Sequence, residues 1–305
     1  MIIALPLVNN TKELLKDCIY SITDNNKDRE IEFYIMYYSN QVSKETLEEI
    51  SQIANNITFI DFTNWVDIFH KASKLYGNYT TYLRLLMPRF LQIYRPEVDR
   101  FIYCDEDCYC TGDINKFYNL DFEGKEFIGF CEGKYYSCKC TEKGNSFTVN
   151  AGILLISTKF DLSNHKSLYT LDSLEYANVN KIDNNLHDQR FVNLYGIKGI
   201  YDESIEGLKD TSLFRIKDTI KEIIKFGLKN FNIAHLSWIY RGSETKLIEE
   251  GLITKQCEHK NKVNKLVTPH TKQYVEVDPT DEVICKVREY IAGDTPIQNI
   301  FIKIQ

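Results

Sequence analysis

Asp105 and Asp107 bracket Glu106 in an Asp-Glu-Asp triplet that follows directly on the apolar run Phe101-Ile102-Tyr103-Cys104. Three carboxylates crowded at the end of a buried strand repel one another, and a low dielectric makes that worse. They are tolerable if a cation sits between them or if they point into water. In open α/β sheets ligands bind just beyond the carboxyl ends of strands. A hard divalent ion held there by oxygen ligands can in turn grip a diphosphate. The competing reading is a solvated acidic turn, and short motifs of this kind recur by chance. Other residues have to decide.

The elements that must position this triplet can be read from periodicity. Ile2-Ile3-Ala4-Leu5 is an apolar run stopped by Pro6 and the Asn9-Asn10 pair, which reads as strand then loop. Thr11 to Ile22 carries Leu14, Leu15, Cys18, Ile19 and Ile22 at the spacing of one helical face, with Thr11 as N-cap. Ile31 to Tyr38 is a second strand, Ser43 to Ile53 a helix capped by Ser43, and Ile57 to Phe62 a third strand. Such alternation argues for βαβ units and a mainly parallel sheet.

Tyr82 to Tyr94 reads as a helix with Pro88 as a kink, and Arg100 to Cys104 as the strand leading into the triplet. Val149 to Ser157 is a further strand, and Leu171 to Tyr176 and His187 to Tyr195 are expected to be helical. Beyond Trp238 the pattern weakens, and the lysine-rich stretch Lys255 to Lys272 reads as a loop or peripheral extension.

Bulk properties narrow the possible partners. The 305 residues suffice for a substantial core, as one large domain or one domain plus a small extension. A net charge of −6 gives no reason to expect nucleic acid as a partner. The chain has 20 Tyr and 17 Phe, and either sugar stacking or core filling would employ them. No apolar stretch is long enough to span a bilayer, and Met1 to Val8 lacks the features of a signal peptide, so a cytoplasmic protein is expected. Nine cysteines are present, six of them between Cys104 and Cys140, without the paired spacing of a structural zinc site. They read as reduced thiols.

Four segments and a closing histidine fall in a telling order. Thr81-Tyr82-Leu83-Arg84-Leu85-Leu86 precedes Tyr103-Cys104-Asp105-Glu106-Asp107; then come Val149-Asn150-Ala151-Gly152-Ile153-Leu154-Leu155, His187-Asp188-Gln189 with Asn193, and His235 after Asn232-Ile233-Ala234. This series resembles glycosyltransferase family 8, the retaining nucleotide-sugar transferases that include bacterial lipopolysaccharide galactosyl- and glucosyltransferases and glycogenin. The similarity covers roughly residues 1 to 240, and the ordered set is far more specific than any one segment. It implies a GT-A fold: α/β, a single mixed, mainly parallel sheet flanked by helices, with a Rossmann-like nucleotide half. Residues 1–242 would form that domain and 243–305 a peripheral C-terminal extension.

The resemblance also implies roles. Asp105 and Asp107 match the metal-binding aspartates and His235 the distant histidine that completes the protein ligands; an imidazole in this set suits Mn²⁺ somewhat better than Mg²⁺. Arg84 matches an arginine near donor sugar and phosphate, where a forked cation grips oxygens. Asn150 and Ala151 match the donor-sugar contact. Asp188 matches an aspartate on the sugar hydroxyls, and Gln189 the glutamine near the anomeric carbon opposite the leaving group. Glu132 falls near an acidic residue beside the reacting sugars. Leu5, Pro6, Val8, Asn9, Asn10 and Thr11 match the loop around uracil and ribose, and Glu106 belongs to the donor-binding triplet with no chemistry of its own.

Each has a bland alternative: a structural histidine at His235, a helix-surface salt bridge at Arg84, a strand-entry turn at Asn150 to Gly152, and helix N-terminal residues at Asp188 and Gln189. Two departures stand out. Val8 and Asn9 stand where relatives often carry an acidic residue. His235 is followed by Leu236-Ser237-Trp238-Ile239-Tyr240-Arg241-Gly242, so Arg241 takes the place of a phosphate-binding lysine while the usual Gly and Pro are missing.

The implied activity is transfer of glucose or galactose from UDP-glucose or UDP-galactose to a glycan or protein-hydroxyl acceptor, with Mn²⁺ or Mg²⁺, by a chain that acts alone or as a homodimer. Three other readings remain: glycogenin-like self-glucosylation on Tyr195 or Tyr201, a metal-dependent phosphoesterase or nucleotide-sugar hydrolase, and an idle sugar- or nucleotide-binding module.

Overall fold

The structure, a computed structural model, describes residues 1–70, 79–110, 112–132, 148–164, 192, 197–200, 233–235 and 271–292. The amino-terminal half builds the expected alternation. Strand β1 (Ile2–Pro6) is followed by helix α1 (Lys12–Asn25), β2 (Glu32–Tyr37), α2 (Lys44–Ile50), β3 (Asn56–Asp61) and α3 (Leu83–Tyr94). Strand β4 (Arg100–Cys104) then ends at the acidic triplet. Beyond it lie β5 (Cys108–Cys110), α4 (Asn115–Tyr118), β6 (Phe127–Glu132), β7 (Thr148–Ser157), β8 (Ile197–Ile200), β9 (Ile233–His235), β10 (Thr271–Glu276) and α5 (Glu282–Ala292).

Among the described residues the main sheet has eight strands in the order β10-β3-β2-β1-β4-β7-β6-β8, and β5 pairs with β9 in a separate two-stranded sheet. Most neighbours in the main sheet run parallel; β7 is antiparallel to both β4 and β6. The expected mixed, mainly parallel sheet is therefore present. Strands buried on both faces read as continuous apolar runs, and successive side chains leave opposite faces. Ile2 and Ala4 accordingly join a core beneath α3 and α5. Ile3 and Leu5 join a second core beneath α1 and α2.

Helix starts follow local chemistry. At α2 the Ser43 hydroxyl accepts a hydrogen bond from the Thr46 amide at 3.3 Å, the expected cap. At α1 the chain enters through a 3₁₀ turn over Asn9–Thr11, and the Thr11 hydroxyl donates back to the Val8 carbonyl at 3.2 Å. Thr11 thus holds the capping position without a side-chain cap, because its oxygen serves the preceding turn.

The largest difference from the sequence reading lies near the carboxyl end. Thr271 and Lys272, taken as the end of a loop, begin β10, which pairs in parallel with β3 from Thr271↔Asn56 to Glu276↔Asp61. Its pattern is polar because an edge strand has little to bury, with Tyr274 stacked on Phe59 at 5.0 Å between ring centroids. The following residues are latched to the body: Trp65 Nε1 donates to the Asp278 carbonyl at 2.6 Å, and Arg288 pairs with Asp67 at 2.9 Å. Residues 271–292 of the carboxyl-terminal segment thus complete the sheet and its core. No helix among the described residues is long and apolar enough to cross a membrane.

Asp281 is the main fastener. It is buried, accepts from the Val283 and Ile284 amides at 3.1 Å as the cap of α5, and takes both Nε and Nη2 of Arg89 on α3. Asp281→Ala removes the cap and strands a half-buried guanidinium, so a loss of about 2–3 kcal/mol in urea unfolding is expected. Asp281→Asn should lose less, because it keeps the cap.

Candidate active site at the end of strand β4

The candidate site forms where the order of the sheet reverses. From β1 the chain winds outward through β2 to β3, then returns to place β4 on the other side of β1. Connections leave β1 and β4 in opposite directions, the topology at which open α/β sheets take ligands beyond the carboxyl ends of their strands. Two loops lie there, Pro6 to Thr11 after β1 and Asp105 to Asp107 after β4.

The triplet forms a tight turn. The Cys108 amide donates to the Asp105 carbonyl at 3.2 Å, and the Asp105 amide donates to the Gly152 carbonyl of β7 at 2.7 Å. Strand β5 then leaves the turn and pairs antiparallel with β9, with Cys108 opposite His235 and Cys110 opposite Ile233. The ladder therefore brings the backbone of His235 directly across from the residue that follows Asp107. The Asp105 side chain is 24 % exposed, while Asp107 is buried. Among the described residues no group of three His, Cys, Asp or Glu side chains is arranged to hold a metal; the His235 side chain is outside that set.

Arg84 joins the pieces. On the first turn of α3 it is 2 % exposed, and its guanidinium donates through Nε to the Thr81 carbonyl at 2.8 Å, through Nη1 to the Ala151 carbonyl, and through Nη2 to Asp105 Oδ1 at 3.0 Å. It also lies over the Tyr103 ring at 4.1 Å. The Tyr103 hydroxyl donates to the same Asp105 oxygen at 2.5 Å. Burial pushes the Tyr103 phenol well above its usual range, so it stays protonated as a donor. The helix-surface salt bridge considered for Arg84 is excluded, since this ion pair is internal. Sequence reading assigned nothing to Tyr103. Its signal was the i, i+2 spacing to Asp105, which puts both side chains on one face of the strand path.

Strand β7 supplies Asn150 and Ala151, with Asn150 Oδ1 accepting from the Gly152 amide at 2.7 Å. Its register against β6 shifts between Gly129 and Cys131, an irregularity of the kind often found beside active sites. A Cβ at Gly129 would come within 2.4 Å of Val149 Cγ1 and 2.8 Å of Leu154 Cδ2. Only glycine lets β6 lie this close.

Other candidates are placed as follows. Leu5 and Pro6 are buried in β1, Val8 is half-buried, and Asn9 and Asn10 are exposed. Asn9 Oδ1 accepts from the Ser43 amide at 2.9 Å, which ties this loop to the start of α2. Glu106 is half-buried in the turn. Glu132 ends β6, and only its backbone is described. Val192 is helical and fully buried, within the segment expected to be a helix. Asp188, Gln189, Asn193, Tyr195, Tyr201 and Arg241, and the helix expected over Leu171 to Tyr176, lie outside the described residues.

Four thiols lie beneath the site. Cys18, Cys104, Cys108 and Cys110 are free and buried. Burial pushes the Cys18 and Cys108 thiols well up and that of Cys110 up to about 12. Thiols held protonated this way are poor nucleophiles. Covalent chemistry through them is therefore disfavoured.

The fold has counterparts among known proteins. The model of glycosyl transferase family 8 matches residues 10–196. An active-site mutant of LgtC superposes with a TM-score of 0.54 at 14% identity, over 98% of both chains. The galactosyltransferase LgtC in complex with donor and acceptor sugar analogues gives 0.55 at 15% identity, again over 98% of both chains. The glycosyltransferase GlyE of Streptococcus pneumoniae TIGR4 gives 0.53 at 15% identity, over 86% of this chain and 62% of that one. These likenesses identify the fold as GT-A. No curated protein gives a significant match to the sequence.

The close approach at Gly129 can be tested without any ligand. Gly129→Ala must displace β-branched Val149 next to Asn150, so a loss of about 2 kcal/mol in chemical denaturation is expected. An unchanged midpoint would mean that β6 and β7 separate freely here.

Proposed function

The chain belongs to glycosyltransferase family 8, and on that premise we propose that it is a metal-dependent, retaining hexosyltransferase moving glucose or galactose from a UDP-sugar to a glycan or other hydroxyl acceptor. The observation that carries this reading is the β5–β9 ladder, which sets His235 opposite Cys108 at the end of the acidic turn. Strands distant in sequence are thereby joined at the one place where two aspartates already stand.

Two carboxylates with one imidazole form a donor set that fits a hard or borderline divalent cation, Mn²⁺ or Mg²⁺. Asp105, Asp107 and His235 would hold it. Bound there, the ion would neutralise charge on the departing diphosphate as a Lewis acid.

The remaining work belongs to the chain's own residues, assigned from the family pattern. The loop Pro6 to Thr11, with Leu5 behind it, receives uracil and ribose at the carboxyl end of β1. Asn150, Ala151 and Asp188 orient the donor hexose, Arg241 faces the diphosphate, and Glu132 stands near the reacting sugars. Gln189 lies beside the anomeric carbon. A retaining double displacement needs a well-placed nucleophile, and an amide oxygen is a poor one. Departure of UDP and attack by the acceptor hydroxyl therefore occur on one face of the sugar, the departing phosphate taking the hydroxyl proton and Gln189 stabilising positive charge electrostatically. Every residue assigned here lies within 1–242, on a sheet that β10 completes. A cytoplasmic location accords with free thiols at Cys18, Cys104, Cys108, Cys110 and Cys285.

Thermal-shift screening of nucleotide-sugars with and without Mn²⁺ tests the reading. UDP-glucose or UDP-galactose at a hundred times its Kd should raise the melting temperature by about 5 °C with the metal present. Asp107→Asn should lower transfer about a thousandfold, the loss of several kcal/mol of charge stabilisation. No shift with any UDP-sugar would sink the proposal, and phosphatase activity without sugar transfer would favour a hydrolase.

A further inference from the structure

Asp105 is held from beneath by two donors that meet on a single oxygen. Tyr103 Oη and Arg84 Nη2 both donate to Oδ1, at 2.5 and 3.0 Å, while the carboxylate keeps 24 % of its side-chain surface exposed. The donors are themselves enclosed: Tyr103 is fully buried and Arg84 is 2 % exposed. Arg84 is fixed in turn by the Thr81 and Ala151 carbonyls and by its seat over the Tyr103 ring. A hydrogen bond from a neutral phenol to a carboxylate at 2.5 Å lies in the short, charge-assisted range.

Stability alone does not explain this arrangement. A buried cation and hydroxyl surrender hydration that a well-packed apolar pair would not, and such replacements are often neutral or stabilising. The brace does supply orientation. It fixes the rotation of the Asp105 carboxylate about its own axis and couples that rotation to the Ala151 peptide. Groups behind a ligand that set its direction commonly tune metal affinity as strongly as some ligands do.

Resting on the reading of Asp105 as a metal and donor ligand, we propose that Tyr103 and Arg84 are positioning residues that aim the Asp105 carboxylate. Arg84 acts here on the Asp105 carboxylate and on the Ala151 carbonyl.

Tyr103→Phe is the discriminating variant, because it keeps the ring beneath the guanidinium and removes only the hydroxyl. Mn²⁺ binding is titrated calorimetrically at saturating UDP, beside wild type, Asp105→Asn and Arg84→Lys. Tyr103→Phe should weaken Mn²⁺ about tenfold, with a melting temperature within about 5 °C of wild type and an unchanged KM for the acceptor. Arg84→Lys keeps the charge but not the fork, and should weaken Mn²⁺ in the same direction. Wild-type Mn²⁺ affinity in either folded variant, with binding lost in Asp105→Asn, overturns the brace and leaves the metal reading standing. Wild-type protein that binds no Mn²⁺ with UDP overturns both.

Discussion

The tip of β4 carries the tension on which the site depends. The strand is buried from Phe101 to Cys104, lies between β1 and β7, and delivers carboxylates to the edge of a low-dielectric interior. Removing such groups from water costs free energy unless other groups replace the lost solvation. The replacements come from three directions: a guanidinium from α3, a phenol from β4 itself, and the β7 backbone that receives the Asp105 amide. Because Arg84 also binds the Ala151 carbonyl, compensating this charge and aligning β7 are one event. Burial of Arg84 is tolerable for the same reason, since an ion pair with Asp105 and two carbonyls occupies its donors.

The sheet makes this possible through its order. Strand β1 pairs in parallel with both β2 and β4, so the loops at the carboxyl ends of β1 and β4 emerge side by side at one end of the sheet. One loop offers backbone and amide groups near Asn9 and Asn10, and the other offers carboxylates. Antiparallel β7 then enters beside β4 from the opposite sense and brings Asn150 to Gly152 to the same end. Polar groups from remote parts of the chain thus converge on a rigid frame, and only short loops need specific chemistry.

The amino-terminal half was legible in the sequence because its signals are local. Strands Ile2–Pro6 and Arg100–Cys104 are continuous apolar runs, as strands covered on both faces must be, and Ser43 announces α2 through a cap that forms as expected. The acidic triplet was legible as a motif at the end of a strand. What escaped depends on partners. Cys108–Cys110 has too few residues to carry a period, and it becomes a strand because β9 lies beside it. Thr271–Glu276 is polar because it sits at the edge, where one flank of the strand is free of the ladder and side chains can stay wet. The Tyr103 hydrogen bond was hidden for a third reason: a phenol in an apolar run looks like core, and only the fold brings its hydroxyl and Arg84 of α3 to one oxygen of Asp105.

The parallel seating of β10 on β3 has a consequence for how the molecule comes into being. Its partner strand is made early, within the first βαβ units, whereas Thr271–Glu276 leaves the ribosome after nearly all the rest of the sheet. Until then β3 presents an open row of amides and carbonyls, the kind of template that recruits stray strands. Pairing strands so distant in sequence is slow, because the chain between them must be closed before any contact rewards it. The nascent chain therefore carries one margin of its sheet unsealed until β10 has been made. The capped helix that follows β10, fastened through Asp281 and Arg288, then holds that margin closed.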